Sequence, residues 1–220
     1  MRILFFDTET NGLPVRRHAS ETEVANWPRI VSLAWQVCEV SENGTEVVAK
    51  EHFLLSPAEG IVWDAHSEKI HGISLARLQQ EGTPLADVLE RFQQHLTTCS
   101  ALVAHNLAFD KPVLVAEFLR LSRNLSLPPI LYCTMNSTKA LCKIPAKTNF
   151  PKASDPYKWP SLNELYIFLF GNNDGMKYHT ADGDVHCLVL CFNELVRRRL
   201  VPVEEWALRV TEAYDEAEGK

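Results

Sequence analysis

The sequence has no hydrophobic run that approaches the roughly 18 to 20 consecutive apolar residues needed to span a membrane. The apolar run that precedes Asp7 is only four residues long, which is too short for a secretory signal peptide. We therefore expect neither a membrane partner nor a cleaved leader.

Cysteines are few, and they lack the spacing of a functional site. The six cysteines form no C-x-x-C pair and no Cys/His pattern typical of zinc; they are Cys38, Cys99, Cys133, Cys142, Cys187 and Cys191. Cys187 and Cys191 lie four residues apart on a predicted helix, where two small core residues are the simplest interpretation. This usage predicts a reducing compartment, and we expect a cytoplasmic protein.

Positive charge is also scarce. The chain has 22 Lys and Arg against 28 Asp and Glu, which gives a net charge of −6. This balance argues against a general nucleic-acid binder, which is usually basic, but it allows an enzyme that holds nucleic acid at one local site. The 220 residues, of which 46% are hydrophobic, are enough for a single domain over residues 1–220 with a full core.

Three predicted strands come first in the chain. Residues 2–6, 29–40 and 45–55 are rich in β-branched and aromatic residues. The dipeptide Asn43-Gly44 favours a tight hairpin turn between the second and third strands, because both residues tolerate positive φ. We expect these three strands to form an antiparallel meander.

Helices and short strands alternate in the rest of the chain. Short apolar strands are predicted at 101–104 and 130–133, and apolar residues at helical spacing or capping residues predict helices at 85–96, 111–122, 161–171, 185–199 and 203–217, the last of them acidic. The predicted fold class is α/β. It is a mixed five-stranded sheet, with an antiparallel meander followed by alternating helices and parallel strands, and helices on both faces.

One long segment, residues 138–160, is interrupted by four prolines and is predicted to be a loop. From residue 139 to residue 160 it holds five lysines and one aspartate, a local charge of +4. This basic segment contrasts with the acidic remainder of the chain.

The first strand ends in two carboxylates with a single threonine between them. Side chains two positions apart on an extended chain point the same way, so Asp7 and Glu9 should lie side by side at the edge of the core. Like charges crowded there cost free energy unless water, a basic side chain or a metal ion compensates them.

Two more acids occupy similar places. Asp110 follows the strand at 101–104 in VAHNLAFD, and Asp184 lies in the first turn of a helix in YHTADGDVH. Each acid alone could simply favour the positive end of a helix dipole. Adjacent ends of one sheet can instead bring Asp7, Glu9, Asp110 and Asp184 together. Such an oxygen cluster suits Mg²⁺ or Mn²⁺, and two such ions are a recurring device for phosphodiester hydrolysis.

The set D-x-E, H-N-x-x-F-D and H-x-A-x-x-D resembles the DEDDh family of 3′-to-5′ exonucleases, over about residues 1–199. The resemblance implies a ribonuclease H-like fold and two divalent metal ions, Mg²⁺ or Mn²⁺. It also implies that Asp7 bridges both ions, that Glu9 and Asp184 complete the first metal site, and that Asp110 holds the second.

The resemblance makes His179, five residues before Asp184, the general base. An imidazole near neutral pH can take a proton from water, provided that it is itself neutral. Nearby carboxylates favour its protonated form. We therefore expect activity to rise from about pH 6 to about pH 8 as His179 loses its proton.

The resemblance also implies substrate contacts. In similar proteins the turn after the first two acids contacts the terminal nucleotide, and here that turn is formed by Thr10, Asn11, Gly12 and Leu13, with Asn11 where many relatives have Thr. Further candidates are His71, in an I-H-G-I segment, and three residues close to Asp110, namely His105, Asn106 and Phe109. For His71 and Phe109 a packing role remains an open alternative.

The lysine-rich segment permits two interpretations. It is either a solvated surface or a guide for the phosphate backbone, since electrostatic attraction supplies most sequence-independent binding. In the second case the backbone contacts would be Lys143, Lys147, Lys152 and Lys158, with Tyr157 and Trp159 available to stack on bases.

The leading hypothesis is an exonuclease that releases 5′-mononucleotides from single-stranded DNA or RNA with a free 3′ end. A second interpretation is a proofreading accessory that binds a DNA polymerase subunit. A third is a catalytically dead nucleic-acid-binding module, which the presence of all four acids and His179 opposes. An ordinary ribonuclease H endonuclease would not explain H-x-A-x-x-D. The residues choose neither between DNA and RNA nor between a monomer and a homodimer.

Overall fold

The described residues form one five-stranded sheet, as predicted. A computed structural model describes residues 1–41, 44–146, 156–172, 180–208 and 210. The strands lie side by side in the order β3-β2-β1-β4-β5, and their bounds are β1 (Arg2–Thr10), β2 (Ile30–Ser41), β3 (Gly44–Leu54), β4 (Ala101–Ala104) and β5 (Ile130–Cys133).

The pairing confirms the mixed α/β sheet. β1, β2 and β3 pair antiparallel, while β4 and β5 continue the sheet as parallel strands on the other side of β1. The predicted turn at Asn43-Gly44 lies partly outside the described residues, which resume at Gly44. β1 continues past its predicted end at residue 6 as far as Thr10, so Asp7 and Glu9 both belong to the strand.

Seven α-helices are present in the described ranges, together with a short 3₁₀ turn at Val24–Asn26. The helices are α1 (Ala65–His71), α2 (Leu75–Glu81), α3 (Leu85–Leu96), α4 (Leu107–Arg120), α5 (Thr134–Cys142), α6 (Leu162–Phe170) and α7 (Ala181–Arg197). The predicted capping box confirms its helix, because Ser161 and Glu164 bond each other's backbone at the start of α6. Residues 203–208 are helical, and the rest of the predicted helix to 217 lies outside the described residues apart from residue 210.

Three helices are absent from the sequence prediction, and α4 and α7 each begin four residues before their predicted starts at 111 and 185. α1 and α2 have seven residues each and α5 has nine, which is too short for a clear apolar repeat. Because α5 continues to Cys142, the predicted loop at 138–160 was wrong over its first five residues. The two ends of the remaining segment pair with each other, since Pro145 and Tyr157 form an isolated antiparallel bridge.

The two faces of β1 pack against different helices. Ile3 and Phe5 lie in one hydrophobic cluster with residues of α7, while Leu4 and Phe6 lie in a second with residues of α3 and α4. This alternation sends Asp7 toward the α7 side and the next residue toward the α4 side. The end of β1 is therefore a place where side chains from both layers of helices can meet.

No helix in the described ranges is long and apolar enough to cross a membrane. The six cysteines are all free, and Cys187 and Cys191 lie on α7 and are fully buried in the core, as predicted.

Candidate active site

Three of the four predicted acids converge where β1 ends. Asp7 and Glu9 come from the strand, and Asp184 comes from the first turn of α7. One carboxyl oxygen from each of the three lies within 4.8 Å of the others. The alternation of the strand and the packing of α7 on that face together produce this cluster.

The fourth acid, Asp110, approaches from the opposite layer of helices. It lies in the first turn of α4 and is only 3% exposed. Its Oδ1 atom accepts hydrogen bonds from the Thr8 backbone N–H at 3.2 Å and from the Thr8 hydroxyl at 2.7 Å. Asp7 and Asp184 are close enough to act on it electrostatically. The structure thus brings the four predicted acids to one strand end.

The electrostatics of the cluster are unfavourable without a countercharge. Burial, followed by repulsion from Asp110, Asp184 and Glu9, raises the pKa of Asp7 well above its usual range. Burial and the charges of Asp184 and Asp110 raise the pKa of Glu9 to about 7. Burial raises the pKa of Asp110 to about 7 as well, although the two hydrogen bonds from Thr8 oppose the change. Crowded, desolvated carboxylates of this kind bind either protons or cations.

The donor set fits a divalent metal. It consists of carboxylate oxygens alone, which is the chemistry that Mg²⁺ and Mn²⁺ prefer. The spacing of Asp7, Glu9 and Asp184 allows all three to reach one ion, and Asp110 lies next to them. These four residues could therefore hold divalent metal.

The predicted general base, His179, lies outside the described residues. The structure begins again at Thr180, which is the N-cap of α7, one residue after His179. Asp184 donates its backbone N–H to the Thr180 carbonyl at 2.9 Å, so the helix that follows His179 starts at the acidic cluster. The role of His179 stays a prediction.

The turn that follows the acids is held by its own side chains. Thr10 donates its hydroxyl to the Gly12 carbonyl at 2.7 Å. Asn11 accepts from the Arg29 N–H at 2.6 Å and donates to the Val62 carbonyl at 2.6 Å, so its amide ties three chain segments together. Both polar groups of the Asn11 side chain are therefore hydrogen-bonded within the protein.

Leu13 is the exposed apolar residue of this turn. Its side chain is 77% exposed, although it lies only four residues beyond Glu9. An apolar side chain presented to solvent this soon after the acids in the sequence is available to contact a base, and the substrate role of Leu13 stays a prediction.

The two predicted histidines occupy different environments. His71 is buried, and its Nδ1 accepts from the Ile73 N–H at 3.0 Å, while its buried Nε2 has no hydrogen bond of normal geometry. Burial lowers the pKa of His71, although the Thr10 backbone and Glu68 oppose the change. It therefore packs behind the turn at Thr10.

His105 has protein partners on both ring nitrogens. Nδ1 contacts the Thr134 hydroxyl and Nε2 contacts the Pro160 carbonyl, each at 3.0 Å. Burial lowers the pKa of this imidazole to about 4. His105 thus connects the end of β4 to α5 and to the entry of α6, and both of its polar atoms are used within the protein.

The other two candidates near Asp110 start α4. Asn106 is the N-cap in a left-handed conformation, with φ of 75°, and its side chain makes no capping hydrogen bond. Phe109 is partly buried against the α3–α4 side of the core. Asn106 therefore has an amide that is not used to cap the helix, whereas Phe109 serves packing at least in part.

The lysine-rich segment is only partly described. Lys147 and Lys152 fall outside the described residues. Lys158 forms an ion pair with Glu164 at 2.5 Å, and Lys143 is exposed in a left-handed C-cap conformation, with φ of 48°. Trp159 is 55% exposed, and the Lys139 ammonium lies 4.1 Å from its ring centroid.

Thr8 is the residue at this site that sequence reasoning missed. In the sequence it is only the residue that separates Asp7 from Glu9. A polar residue on the face of β1 that otherwise carries Leu4 and Phe6 was the available signal. Its partner Asp110 lies 102 residues away, which no local pattern reveals.

Fold and site together define a class of protein. A mixed sheet whose central strand ends among four clustered acids, drawn from a strand and from helices on both faces, is the arrangement of a metal-dependent nuclease domain. The sequence matches the family model described as Exonuclease (RNase T) over residues 4–192. The chain therefore belongs to this exonuclease family, and it is a metal-dependent 3′-to-5′ exonuclease of the DEDDh type.

Individual relatives agree with the family. Human three prime repair exonuclease 2 is 27% identical over 214 residues, which cover 93% of this chain and 87% of the relative. Among solved structures, Escherichia coli exonuclease I in complex with a dA16 oligonucleotide gives a TM-score of 0.67 at 20% identity. The similarity covers 90% of this chain but only 42% of exonuclease I. A zinc-bound complex of exonuclease I with single-stranded DNA also has a TM-score of 0.67.

Proposed function

We propose that this chain removes nucleoside 5′-monophosphates one at a time from the 3′ end of single-stranded nucleic acid, with two divalent ions, Mg²⁺ or Mn²⁺. The observation that carries the proposal is the cluster of Asp7, Glu9 and Asp184 within 4.8 Å, with Asp110 beside it. Carboxylates crowded at a partly buried strand end are the usual arrangement for holding metal against a phosphodiester.

Each acid has a part in this proposal. Asp7, Glu9 and Asp184 would hold one ion, and Asp7 and Asp110 the second. When bound, divalent ions supply Lewis acidity, which offsets negative charge on the phosphate.

His179 is the proposed proton acceptor. It takes a proton from the attacking water while the water oxygen bonds to phosphorus and the bond from phosphorus to the 3′ oxygen breaks. The 3′ oxygen of the shortened strand gains a proton from solvent, and the released nucleotide keeps the phosphate at its 5′ oxygen. The position of His179, five residues before Asp184 and next to the N-cap of α7, supports this role.

The substrate proposal draws on the turn and on the relatives. Leu13 is exposed, follows Glu9 by four residues and is available to pack against the terminal base. Exonuclease I has been solved with the single-stranded oligonucleotides dA16 and dT13, which supports single-stranded DNA as a substrate here. The name of three prime repair exonuclease 2 supports attack at a 3′ end.

We also propose a contact to the phosphate backbone from the lysine-rich segment. Lys143 is exposed at the end of α5, and Tyr157 and Trp159 lie at the base of the same segment. We also propose a reducing, cytoplasmic setting, which the six free cysteines support.

The direct test uses end-labelled DNA and RNA oligomers of the same sequence. The chain should shorten them from the 3′ end with Mg²⁺ or Mn²⁺ and release 5′-monophosphates, EDTA should stop the reaction, and Asp7→Ala should be inactive. Circular single strands should stay intact. Cleavage of circles, release of 3′-monophosphates, or full activity in Asp7→Ala would contradict the proposal.

A further inference from the structure

We propose that Thr8 is a positioning residue, which fixes the Asp110 carboxylate so that a single oxygen, Oδ2, is presented to a divalent cation. This inference rests on the proposed function, because it concerns how the second ion would be held. It adds a residue that the acid motifs do not contain, since in D-x-E the middle position is open.

The backbone of Thr8 needs a partner that the sheet does not provide. On the β4 side, β1 is paired only through Ile3, Leu4 and Phe5, whose partners end at Val103. β1 nevertheless continues to Thr10, so its donors on that side extend past the ladder. A buried backbone N–H without a partner is costly. The Asp110 carboxylate accepts it, at 3.2 Å, in place of a neighbouring strand.

The side chain of Thr8 strengthens the same contact. Thr8 is 6% exposed, and its hydroxyl donates to the same Asp110 oxygen at 2.7 Å. A carboxylate oxygen has about two lone-pair sites. The two Thr8 donors therefore use the hydrogen-bonding capacity of Oδ1, and Oδ2 is the oxygen left for a cation.

This geometry makes the two sides of the site unequal. Asp7, Glu9 and Asp184 can each give one oxygen to the same ion. Asp110 does not belong to that three-acid group; instead, it is held on the α4 side by Thr8. We therefore expect one tight cation site that does not depend on Thr8 and one weaker site that does.

The substitutions separate the hydroxyl from the backbone N–H. Thr8→Val keeps the shape and the N–H but removes the hydroxyl, Thr8→Ala does so without the β-branch, and Thr8→Ser keeps the hydroxyl. Thr138→Val is a matched control, because Thr138 is also buried, at 2% exposure, and donates its hydroxyl at 2.7 Å, but within α5 to the Thr134 carbonyl.

Calorimetric titration of the full chain with Mn²⁺ is the primary measurement. We expect wild type and Thr138→Val to show a tight and a weak phase. Thr8→Val and Thr8→Ala should raise the dissociation constant of the weak phase by about 10-fold or more, since hydrogen bonds to charged groups are among the stronger ones. The tight phase should not change, and Thr8→Ser should resemble wild type.

Cleavage kinetics give a second measurement. In Thr8→Val the Mn²⁺ concentration for half-maximal cleavage should rise by the same factor, while KM for the oligonucleotide stays constant and the rate recovers at saturating Mn²⁺. Thermal unfolding without metal checks that each variant is folded, and a Thr8→Val variant that fails this check is replaced by the Thr8→Ala comparison.

Two results would overturn the inference and leave the proposed function intact. The first is a wild type that cleaves 3′ ends while Thr8→Val titrates as wild type does. The second is a Thr8→Ser variant as defective as Thr8→Val, since the hydroxyl is then not the cause. If wild type neither binds Mn²⁺ nor cleaves, the proposed function itself fails, which the cleavage assay detects separately.

Discussion

α4 carries two buried carboxylates, seven residues apart, that are compensated in opposite ways. The Glu117 side chain is 1% exposed, lies 2.9 Å from Arg29 and 3.2 Å from Arg120, and accepts the Ile30 N–H at 3.0 Å. Asp110, two helical turns earlier, receives neutral donors from Thr8 and faces other acids. The charge of Glu117 is balanced by arginines of the protein, whereas Asp110 lies among like charges.

The difference distinguishes an acid that stabilises the fold from an acid that is available to bind a cation. A buried charge with its countercharge in the protein fixes two segments relative to each other. A buried acid without one is costly on its own and gains a countercharge only by binding a proton or a cation. Asp110 and Glu117 show both cases on one helix, so paired substitutions can test the distinction.

The largest expected effect follows from removing the acid on which both proposed ions depend. Asp7→Asn should lower the exonuclease rate by at least ~1000-fold, because several kcal/mol of transition-state stabilisation are lost. Its metal-free melting temperature at pH 8 should not fall, since one of the crowded like charges is gone. A cleavage rate within about tenfold of wild type would contradict this.

Next in size is the loss of the proton acceptor. His179→Ala should lower the cleavage rate by about 100- to 10,000-fold, the usual contribution of a general base. The wild-type rate should rise between about pH 6 and pH 8, and the variant should lose that rise. Both profiles are measured at saturating oligonucleotide, and a rise of equal steepness in the variant would remove His179 from the mechanism.

Removing the charge of Glu117, the acid of α4 that supports the fold, should lower stability and not the cleavage rate. Glu117→Gln should lower the free energy of unfolding by about 3 kcal/mol, since it leaves Arg29 and Arg120 without their buried partner. Glu194→Gln is the matched control: Glu194 also pairs with two arginines, but Arg197 and Arg198 are both exposed to solvent, so about 1 kcal/mol or less is expected.

Urea denaturation measures both Glu117→Gln and Glu194→Gln. Below the unfolding transition, the cleavage rate of Glu117→Gln per folded molecule should stay close to that of wild type. A stable Glu117→Gln with abolished cleavage would reverse the roles assigned to the two ends of α4.

The clustered acids at the end of β1 should also make the stability of the protein depend on pH and on metal. The pKa values of Glu9 and Asp110 are about 7 in the folded protein, above their ordinary values of 4.5 and 3.8. The folded state therefore holds protons that the unfolded state has released, so metal-free stability falls as pH rises from about 4 to 7. Mn²⁺ should raise the melting temperature more at pH 8 than at pH 5.5, because fewer protons compete with it.

Differential scanning fluorimetry at the two pH values, with and without Mn²⁺, measures this effect. Glu9→Gln should reduce both the pH dependence and the Mn²⁺ gain. An equal gain at pH 5.5 and pH 8 would mean that these carboxylates do not bind the metal.

The smallest expected effect comes from a comparison of two lysines in the lysine-rich segment. Lys158 is paired with Glu164, whereas Lys143 is exposed and has no ion pair with a described residue. Lys143→Gln should lower the salt dependence of oligonucleotide binding by about one unit in the slope of log K against log salt. Lys158→Gln should leave it unchanged, and fluorescence anisotropy at several salt concentrations distinguishes them. Equal slopes for both variants and wild type would make the segment an ordinary surface.

Local patterns were sufficient for the elements and for the identity of the acids. Apolar runs and helical spacing predicted β2, β4, β5, α3 and α6 to within one or two residues, because each strand is a distinct apolar run and each of the two helices has an apolar face or a clear cap. The short helices α1 and α2 escaped, since seven residues give too little periodicity. Motif order identified the acidic set, but it gave no distances.

Long-range hydrogen bonding is what the sequence could not supply. The contact between Thr8 and Asp110 spans 102 positions, and that between Arg29 and Glu117 spans 88. Similarly, the Asn11 amide can bond both Arg29 and Val62 only because the folded chain brings these two residues close to it. Such contacts follow from tertiary packing and not from any neighbouring residue.

The two-sided packing of β1 has a consequence for how this enzyme can change over evolutionary time. Adding or deleting one residue between Arg2 and Asp7 would exchange inward and outward positions along the whole edge, which would turn Asp7 and Glu9 toward α4 and Thr8 toward α7. Within this strand, evolutionary change should therefore be confined to point replacements. Insertions and deletions should accumulate in the connecting segments, where a shift of one residue does not exchange two packed faces.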